Sequence, residues 1–526
     1  MIPGPCWRVP LDMMIFQWTV GVLLGAVLLA GLARRVGAPY PVFLALGGIG
    51  LAFIPAVPNL VLDPELALAL FLAPVLLDAG YDTSVRDLRT HWRPIAGLAF
   101  GAVVATTAAV AVVVKWLVPD MPWAACIVLG AVVAPPDAVA ALSVLRHVSL
   151  PHRLTTILRG ESLLNDAGSL MIYRLGVTAA VTGTFSVSQI GPAFLVGILG
   201  SLVAGPVLAL LYSAATRPAT DAPSVIVLQF VAAFGIWIGA EHVHLSGVLT
   251  VVTFAITVAR IAPGHTPPRT RIVSYAVWDT AVFVLNVLAF VLIGLQIGPI
   301  LERLTREQQI SYALVGAAVF LTVVVVRFLW VLPTAHLARL GADGTETRDR
   351  GLSAGIAVSW AGMRGIVTIA TALALPDGDP GFPYRDLIVL TAFCVIIGTL
   401  TIQGLTLRLL LGRLGLEDND PVGREVGHGR TEAYRAALES LENAEDAPSE
   451  ALREEFRIAL EQAEARDTGF ASEALPADAA RRRAIEAARD RVLALRRSGT
   501  IGDDAYYVLE EEFDWAEMNA TPRAET

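Results

Sequence analysis

The feature that most constrains this chain is a succession of about thirteen apolar runs between Met13 and Leu411. Crossing about 30 Å of hydrocarbon takes about 20 residues of helix. Because the bilayer core holds no water to satisfy backbone N–H and C=O groups, only helices or closed barrels can span it. The runs lie roughly at 13–33, 40–57, 61–80, 94–118, 121–145, 154–182, 190–213, 223–239, 245–259, 273–298, 309–338, 352–376 and 386–411. A mean hydropathy of +0.61 and 55% hydrophobic against 17% charged residues exclude an ordinary soluble domain. The fold class is an all-α integral membrane protein with about 13 transmembrane helices.

Arginine and lysine gather in alternate loops, about 14 in one set, including Arg86, Arg89 and Arg153, against about 5 in the other. By the positive-inside rule the richer set is cytoplasmic, which predicts an odd number of spans with the N-terminus outside and the C-terminus inside. The first run is followed by its arginines, Arg34 and Arg35, rather than preceded by them. That is the reverse of a secretory signal peptide, so the run reads as a retained span. Cys6, Cys126 and Cys394 are scattered, and neither a disulfide framework nor a CxxC metal site is expected.

The membrane domain is assigned to 1–411. From 412 to 526 the chain turns to Glu, Arg and Ala at helical spacing, which predicts a helical cytoplasmic tail with breaks at "NAEDAPSE" and "DTGFASEALPAD". Acidic and basic residues interleave there, and no nucleic-acid motif appears.

Within the apolar runs, charged residues carry the functional signal, because each costs about 2.5–3.5 kcal/mol at bilayer depth by insertion scales. In "GESLLNDA", helical spacing sets Glu161 with Asn165 and Ser162 with Asp166 on one side of a helix, an oxygen-rich face. Arg327 sits mid-run in "LTVVVVRFLWVLPTA" and cannot shed its charge; it is paired with Glu161 as a structural bridge, with Arg364 as the competing partner. In "GAVVAPPDAVAALSV", Pro135 and Pro136 break the helix, leaving Asp137 where the next half-helix presents its positive end. In "SWAGMRGIVTIATALALP", Gly362 and Gly365 flank Met363 and Arg364, a second unwound stretch. The two breaks fall in the fifth and twelfth runs, corresponding positions if two halves of six spans join through the seventh. That is the pattern of transporters built from inverted repeats with two crossing discontinuous helices. Asp78 ends the third run beside a cytoplasmic arginine cluster. "AEHVHLSG", with Glu241, His242 and His244, reads as a loop after the eighth run rather than a transition-metal site.

Together, "FLAPVLLDAGY", "APPDAVAA", "GESLLNDA" and "SWAGMRGIVTIATALALP" resemble the bacterial sodium/proton exchanger branch, of Asn-Asp type, of the monovalent cation:proton antiporter family. The resemblance covers about 400 residues. It implies that Asp166 carries cation and proton in turn, with Asn165 beside it and Ser162 adding oxygen. It implies that Asp137 offsets the half-helix dipoles at the crossing and that Asp78 lies on the cytoplasmic ion path. Many relatives carry Thr where this chain has Pro136, and Glu where it has Asp78, and both departures bear on ion preference. The implied protein is a secondary antiporter of the bacterial plasma membrane, not an enzyme, without a cofactor. It would exchange Na+, or K+ or Li+, for H+ electroneutrally as a homodimer in the lipid bilayer, serving pH and sodium homeostasis. Two rivals are an organic-anion carrier using Arg364 and Arg327, and an intramembrane protease using Asp137 and Asp166.

Overall fold

The computed structural model describes residues 11–54, 63–137, 140–141, 150–182, 187–219, 221–261, 267–337, 348–377, 381–416, 420–442, 446–465, 475, 477–498, 500 and 502–521. Among these, every regular element is a helix. The membrane unit contains α1 (Leu11–Val36), α2 (Tyr40–Ala52), α3 (Pro64–Tyr81), α4 (Val85–Thr90), α5 (Trp92–Leu117), α6 (Trp123–Val133), α7 (His152–Thr182), α8 (Val187–Thr216), α9 (Ala222–His242), α10 (Gly247–Ile261), α11 (Pro268–Leu295), α12 (Ile297–Glu302), α13 (Arg306–Leu337), α14 (Arg348–Trp360), α15 (Ile366–Leu373) and α16 (Arg385–Leu414). Eight helices among the described residues are long and apolar enough to cross a membrane, beside shorter apolar ones such as α2, α6 and α10. Helix α7 has 31 residues and carries Arg159, Glu161, Asp166 and Arg174.

The distribution of apolar side chains follows each helix's surroundings. On α6, Ala125, Cys126, Val128, Leu129, Ala131 and Val133 are all fully covered; a helix apolar on every side belongs in the centre of the protein. On α8, Leu199, Val203 and Leu210 are exposed, as suits a face turned to lipid or to another copy. Among the described residues, three spans contain a π-helical turn, at Leu68–Leu72, Gly97–Ala102 and Thr399–Gly404, a local widening that recurs at functional positions.

Two single long runs of the sequence are broken in the structure. The fifth is helical to Val133 and then opens at the prolines; most of its remainder, residues 138–139 and 142–145, lies outside the described residues. The twelfth divides into α14 and α15, separated by residues 361–365. The "AEHVHLSG" stretch also departs from the sequence reading, because Glu241 and His242 complete helix α9. Glu241 accepts from Arg174 of α7 at 2.6 Å, so this acid ties two helices together. Cys6 and much of both tail breaks, at 443–445 and 466–474, lie outside the described residues.

The chain divides into two compact units, Met1–Glu417 and Asp418–Thr526. The second unit holds α17 (Pro421–Leu441), α18 (Ala447–Ala465), α19 (Asp478–Arg497) and α20 (Asp503–Asn519). Within it Tyr434 packs on Phe456 at 5.9 Å, and Arg489 of α19 meets Glu510, Asp514 and Glu517 of α20.

Helices α2 and α11 approach closely because Gly48 and Gly294 face each other; a Cβ on Gly294 would lie 2.6 Å from the Ile49 nitrogen and 2.8 Å from the Gly48 carbonyl carbon. Small residues at such crossings let backbones touch. Gly294→Val is therefore expected to lower the melting temperature of the detergent-purified protein, on the scale of about 1–3 kcal/mol for overpacking. Gly235→Val, where an added Cβ meets nothing within 4 Å, is the control, and equal melting of the two variants would contradict the packing described.

Candidate functional site

A proline has no N–H to bond the carbonyl four residues back, so the sequence Pro135-Pro136 strands acceptors at the end of α6. The partners of these acceptors are side chains of α7 and of the unwound stretch between α14 and α15. Ala131 O accepts from Ser169 Oγ at 2.7 Å. Val133 O and Ala134 O accept from Arg364 at 3.0 and 3.2 Å. Pro136 O accepts from Asn165 Nδ2 at 2.8 Å. At bilayer depth, where an unsatisfied carbonyl is costly, these contacts allow an open chain inside the protein.

The second break is tied to the first. The Asp137 N–H donates to Met363 O at 2.6 Å, and Arg364 also donates to Gly362 O beside it. The Arg364 N–H donates to Thr399 Oγ1 at 3.1 Å, on the π-helical turn of α16. A Cβ on Gly365 would run into the Asp137 carboxyl group, so the first turn of α15 can approach Asp137 only with glycine at this position. The two unwound stretches therefore meet, with Arg364 between them and 1% exposed.

Glu161, one turn before Asn165 on α7, receives both terminal nitrogens of Arg327, at 2.6 and 2.8 Å. Arg327 Nε donates to Val358 O at 3.2 Å. Both partners are buried, and the guanidinium is fully engaged between α7, α13 and α14. Arg364 is not the partner of Glu161; its recorded bonds go to carbonyls.

A cavity of about 550 Å³ reaches this crossing. Asp166, Ser162, Pro135, Pro136, Asp137 and Gly365 line it, as do Arg34, Asp82, Arg159 and Asp279. Asp78 lines it too, and also lines a second cavity of about 270 Å³ among α3, α8, α9, α10 and α11. Asp166 is itself buried, and so is Asn165, whose Oδ1 has no hydrogen-bond partner. The structure thus brings Asp166, Asn165, Ser162, Asp137 and Arg364 to one place, and sets Asp78 farther along the same cavity.

Several residues here carried no motif signal. Ser169 and Thr399 are ordinary hydroxyls in sequence, and only the neighbouring carbonyl or N–H gives them a task. Asp279 was accessible as a lone acid near the start of the tenth apolar run, and the cavity is what makes it notable.

Residues 22–413 match the family of transmembrane sodium/hydrogen exchangers. The chain belongs to this family. Its members are multi-pass membrane transporters rather than enzymes. Among exchanger relatives, the sodium, potassium, lithium and rubidium/H+ antiporter of Bacillus pumilus is 30% identical over 439 residues, 80% of this chain, which spans 65% of that protein's length. An uncharacterised Na+/H+ exchanger of Mycobacterium tuberculosis is 31% identical over 96% of this chain and 97% of its own. The exchanger fold is also that of the sodium proton antiporter MjNhaP1 from Methanocaldococcus jannaschii. That structure matches with a TM-score of 0.58 at 18% identity, over 77% of this chain and 99% of its own.

The buried bridge gives a direct test of the site's frame. Removing one partner strands the other charge, which costs about 3–5 kcal/mol. Arg327→Met and Glu161→Gln are each expected to lower thermal stability strongly in detergent, whereas the double variant, with no charge left unpaired, recovers most of the loss. Additive losses would show that the pair is not coupled as the geometry requires.

Proposed function

We propose that this chain exchanges one monovalent cation for one proton across the bacterial plasma membrane, with Asp166 as the carrier of both. The single observation that carries the reading is the charge balance at the crossing. Of the groups at the two helix breaks and the bridge beside them, Arg327 and Arg364 stand against Glu161 and Asp137 when all four are ionised, and Asp166 adds a further buried carboxylate on the wall of the cavity. A buried carboxylate without a compensating charge is costly. A proton neutralises it, and so does one hard monovalent cation, but the two exclude each other. Alternating exposure of such a site to the two sides yields antiport, and one exchangeable acid yields a neutral 1:1 cycle.

Ser162, Asn165 and Asp166 form the ion site in this reading. Asp137 offsets the helix ends at the crossing, the Glu161–Arg327 bridge braces α7, and Asp78 lies on the path from the cytoplasm. The arginine-rich loops favour an N-terminus outside and a C-terminus inside. The exposed apolar face of α8 fits the homodimer expected of the family, and residues 412–526 form a cytoplasmic helical tail. Sodium is the first candidate; the name of the Bacillus pumilus relative, which includes potassium and lithium, favours a broader choice as the second reading. An organic-anion carrier is disfavoured because both guanidiniums it would need are occupied, Arg327 by Glu161 and Arg364 by backbone carbonyls.

The test uses proteoliposomes with an imposed pH gradient and a trapped pH dye, to which sodium, potassium or lithium is added. Wild type is expected to dissipate the gradient with at least one cation, and Asp166→Asn to lose this activity. Clamping the membrane potential at different values with potassium and valinomycin is expected to leave the sodium-driven rate unchanged. Retained activity in Asp166→Asn would overturn the carrier role, and a voltage-dependent rate would overturn the 1:1 ratio.

A further inference from the structure

Several threonines within the spans of this protein share one solution for the hydroxyl proton, donating it to the carbonyl four residues back, although the buried Thr107 and Thr391 hydroxyls have no partner. Thr280 bonds Ala276 O at 2.8 Å, Thr322 bonds Ala318 O at 2.8 Å and Thr371 bonds Val367 O at 2.7 Å. Thr368 is placed where that solution fails. It lies in the first turn of α15, and the residue four back is Arg364, in the unwound stretch before the helix begins. Its side chain is nonetheless covered, with the residue 1% exposed, and its Oγ1 has no hydrogen-bond partner.

A buried hydroxyl left unpaired costs about 1–3 kcal/mol, and such groups in native proteins call for an explanation. The location of Thr368 supplies one. The residue lines the same cavity as Asp166, Ser162 and Asp137, together with its own chain neighbours Gly365, Ile366 and Val367. It comes from α15, a different helix from α7, which supplies Ser162 and Asp166. A hard monovalent cation stripped of water needs several oxygens, as ions do in filters that replace the hydration shell, and α7 provides them from one face alone. The prolines of the fifth span add no side-chain oxygen at 135 or 136.

We infer that Thr368 Oγ1 is a ligand of the transported cation, the oxygen that α15 contributes to the site. The inference rests on the proposed role of Asp166. In the cation-loaded state the lone pairs of Thr368 face the ion, with Ser162 and Asp166 across from it, and in the proton-loaded state the hydroxyl can donate toward a carboxylate of the same cavity. Its selectivity consequence is chemical: an oxygen at this position favours hard cations.

The experiment measures the KM for sodium and for lithium, and the maximal rate, in the same proteoliposome assay at fixed pH. Wild type is compared with Thr368→Val, Thr368→Ser, Thr368→Cys and Asp166→Asn. Valine keeps the shape and removes the oxygen. Serine and cysteine differ from each other in one atom, so they form a second comparison if valine fails to fold. Thr368→Val and Thr368→Cys are expected to raise the sodium KM about tenfold, the scale of one lost polar contact to a charged group. The rate at saturating sodium is expected to stay within about twofold, since truly saturating cation compensates weakened ground-state binding. Thr368→Ser is expected to keep a wild-type KM. A wild-type KM in the valine or cysteine variant, or equal impairment of the serine and cysteine variants, would overturn the assignment. If Asp166→Asn is inactive while the valine and cysteine variants keep a wild-type KM, only the role of Thr368 falls. If Asp166→Asn transports normally, the site reading beneath it falls.

Discussion

The structure of the membrane unit depends on the capture of backbone carbonyls at the end of α6. Two consecutive prolines remove the donors that would have continued the helix, and Ser169, Asn165 and Arg364 take the acceptors left behind. Without these partners an open chain at this depth would be untenable, and the half-helices would have no reason to stop short of each other. Arg364 is central because a guanidinium offers five donors in a rigid plane, enough to serve carbonyls of both broken spans at once. The cost of burying its charge is offset by these dipoles and by the carboxylates nearby.

That arrangement fixes the chemistry available at the crossing. Glu161 is held by Arg327, and the Asp137 carboxyl lies against Gly365, so close that a Cβ there would force the Asp137 side chain to shift. Asp166 is on the wall of the cavity, whose lining also includes Asp137, Arg159 and Asp279. The same carbonyl capture also anchors α7, since Asn165 and Ser169 are on it, and Asp166 lies between them. In the proposed cycle, Asp166 is thus carried by a helix whose neighbouring side chains Asn165 and Ser169 are committed to backbone bonds.

Much of this was legible in the sequence. The apolar runs announce spans because only helices satisfy their own backbone in hydrocarbon. Pro135 and Pro136 announce a break because proline lacks a donor, and Gly362 and Gly365 mark the second break between α14 and α15. Acids such as Glu161 and Asp166 stand out against an apolar background. The pairing of charges was less legible. Arg364 could have been a partner of Glu161 by type, yet two of its bonds run to carbonyls 231 and 230 residues earlier in the chain, and nothing in local spacing encodes that choice. Ser169, Thr399 and Thr368 look alike as hydroxyls in a sequence, and each is distinguished only by what faces it.

The sequence by itself determined that this protein is helical, crosses the membrane many times, breaks two of its spans and buries carboxylates, because those properties follow from the polarity and backbone chemistry of residues read in order. Tertiary structure decided which buried charge is matched and which is not, and which hydroxyl has a partner. The reason is physical: hydrogen bonds and ion pairs depend on distances of about 3 Å between groups far apart in the chain, and only packing sets those distances.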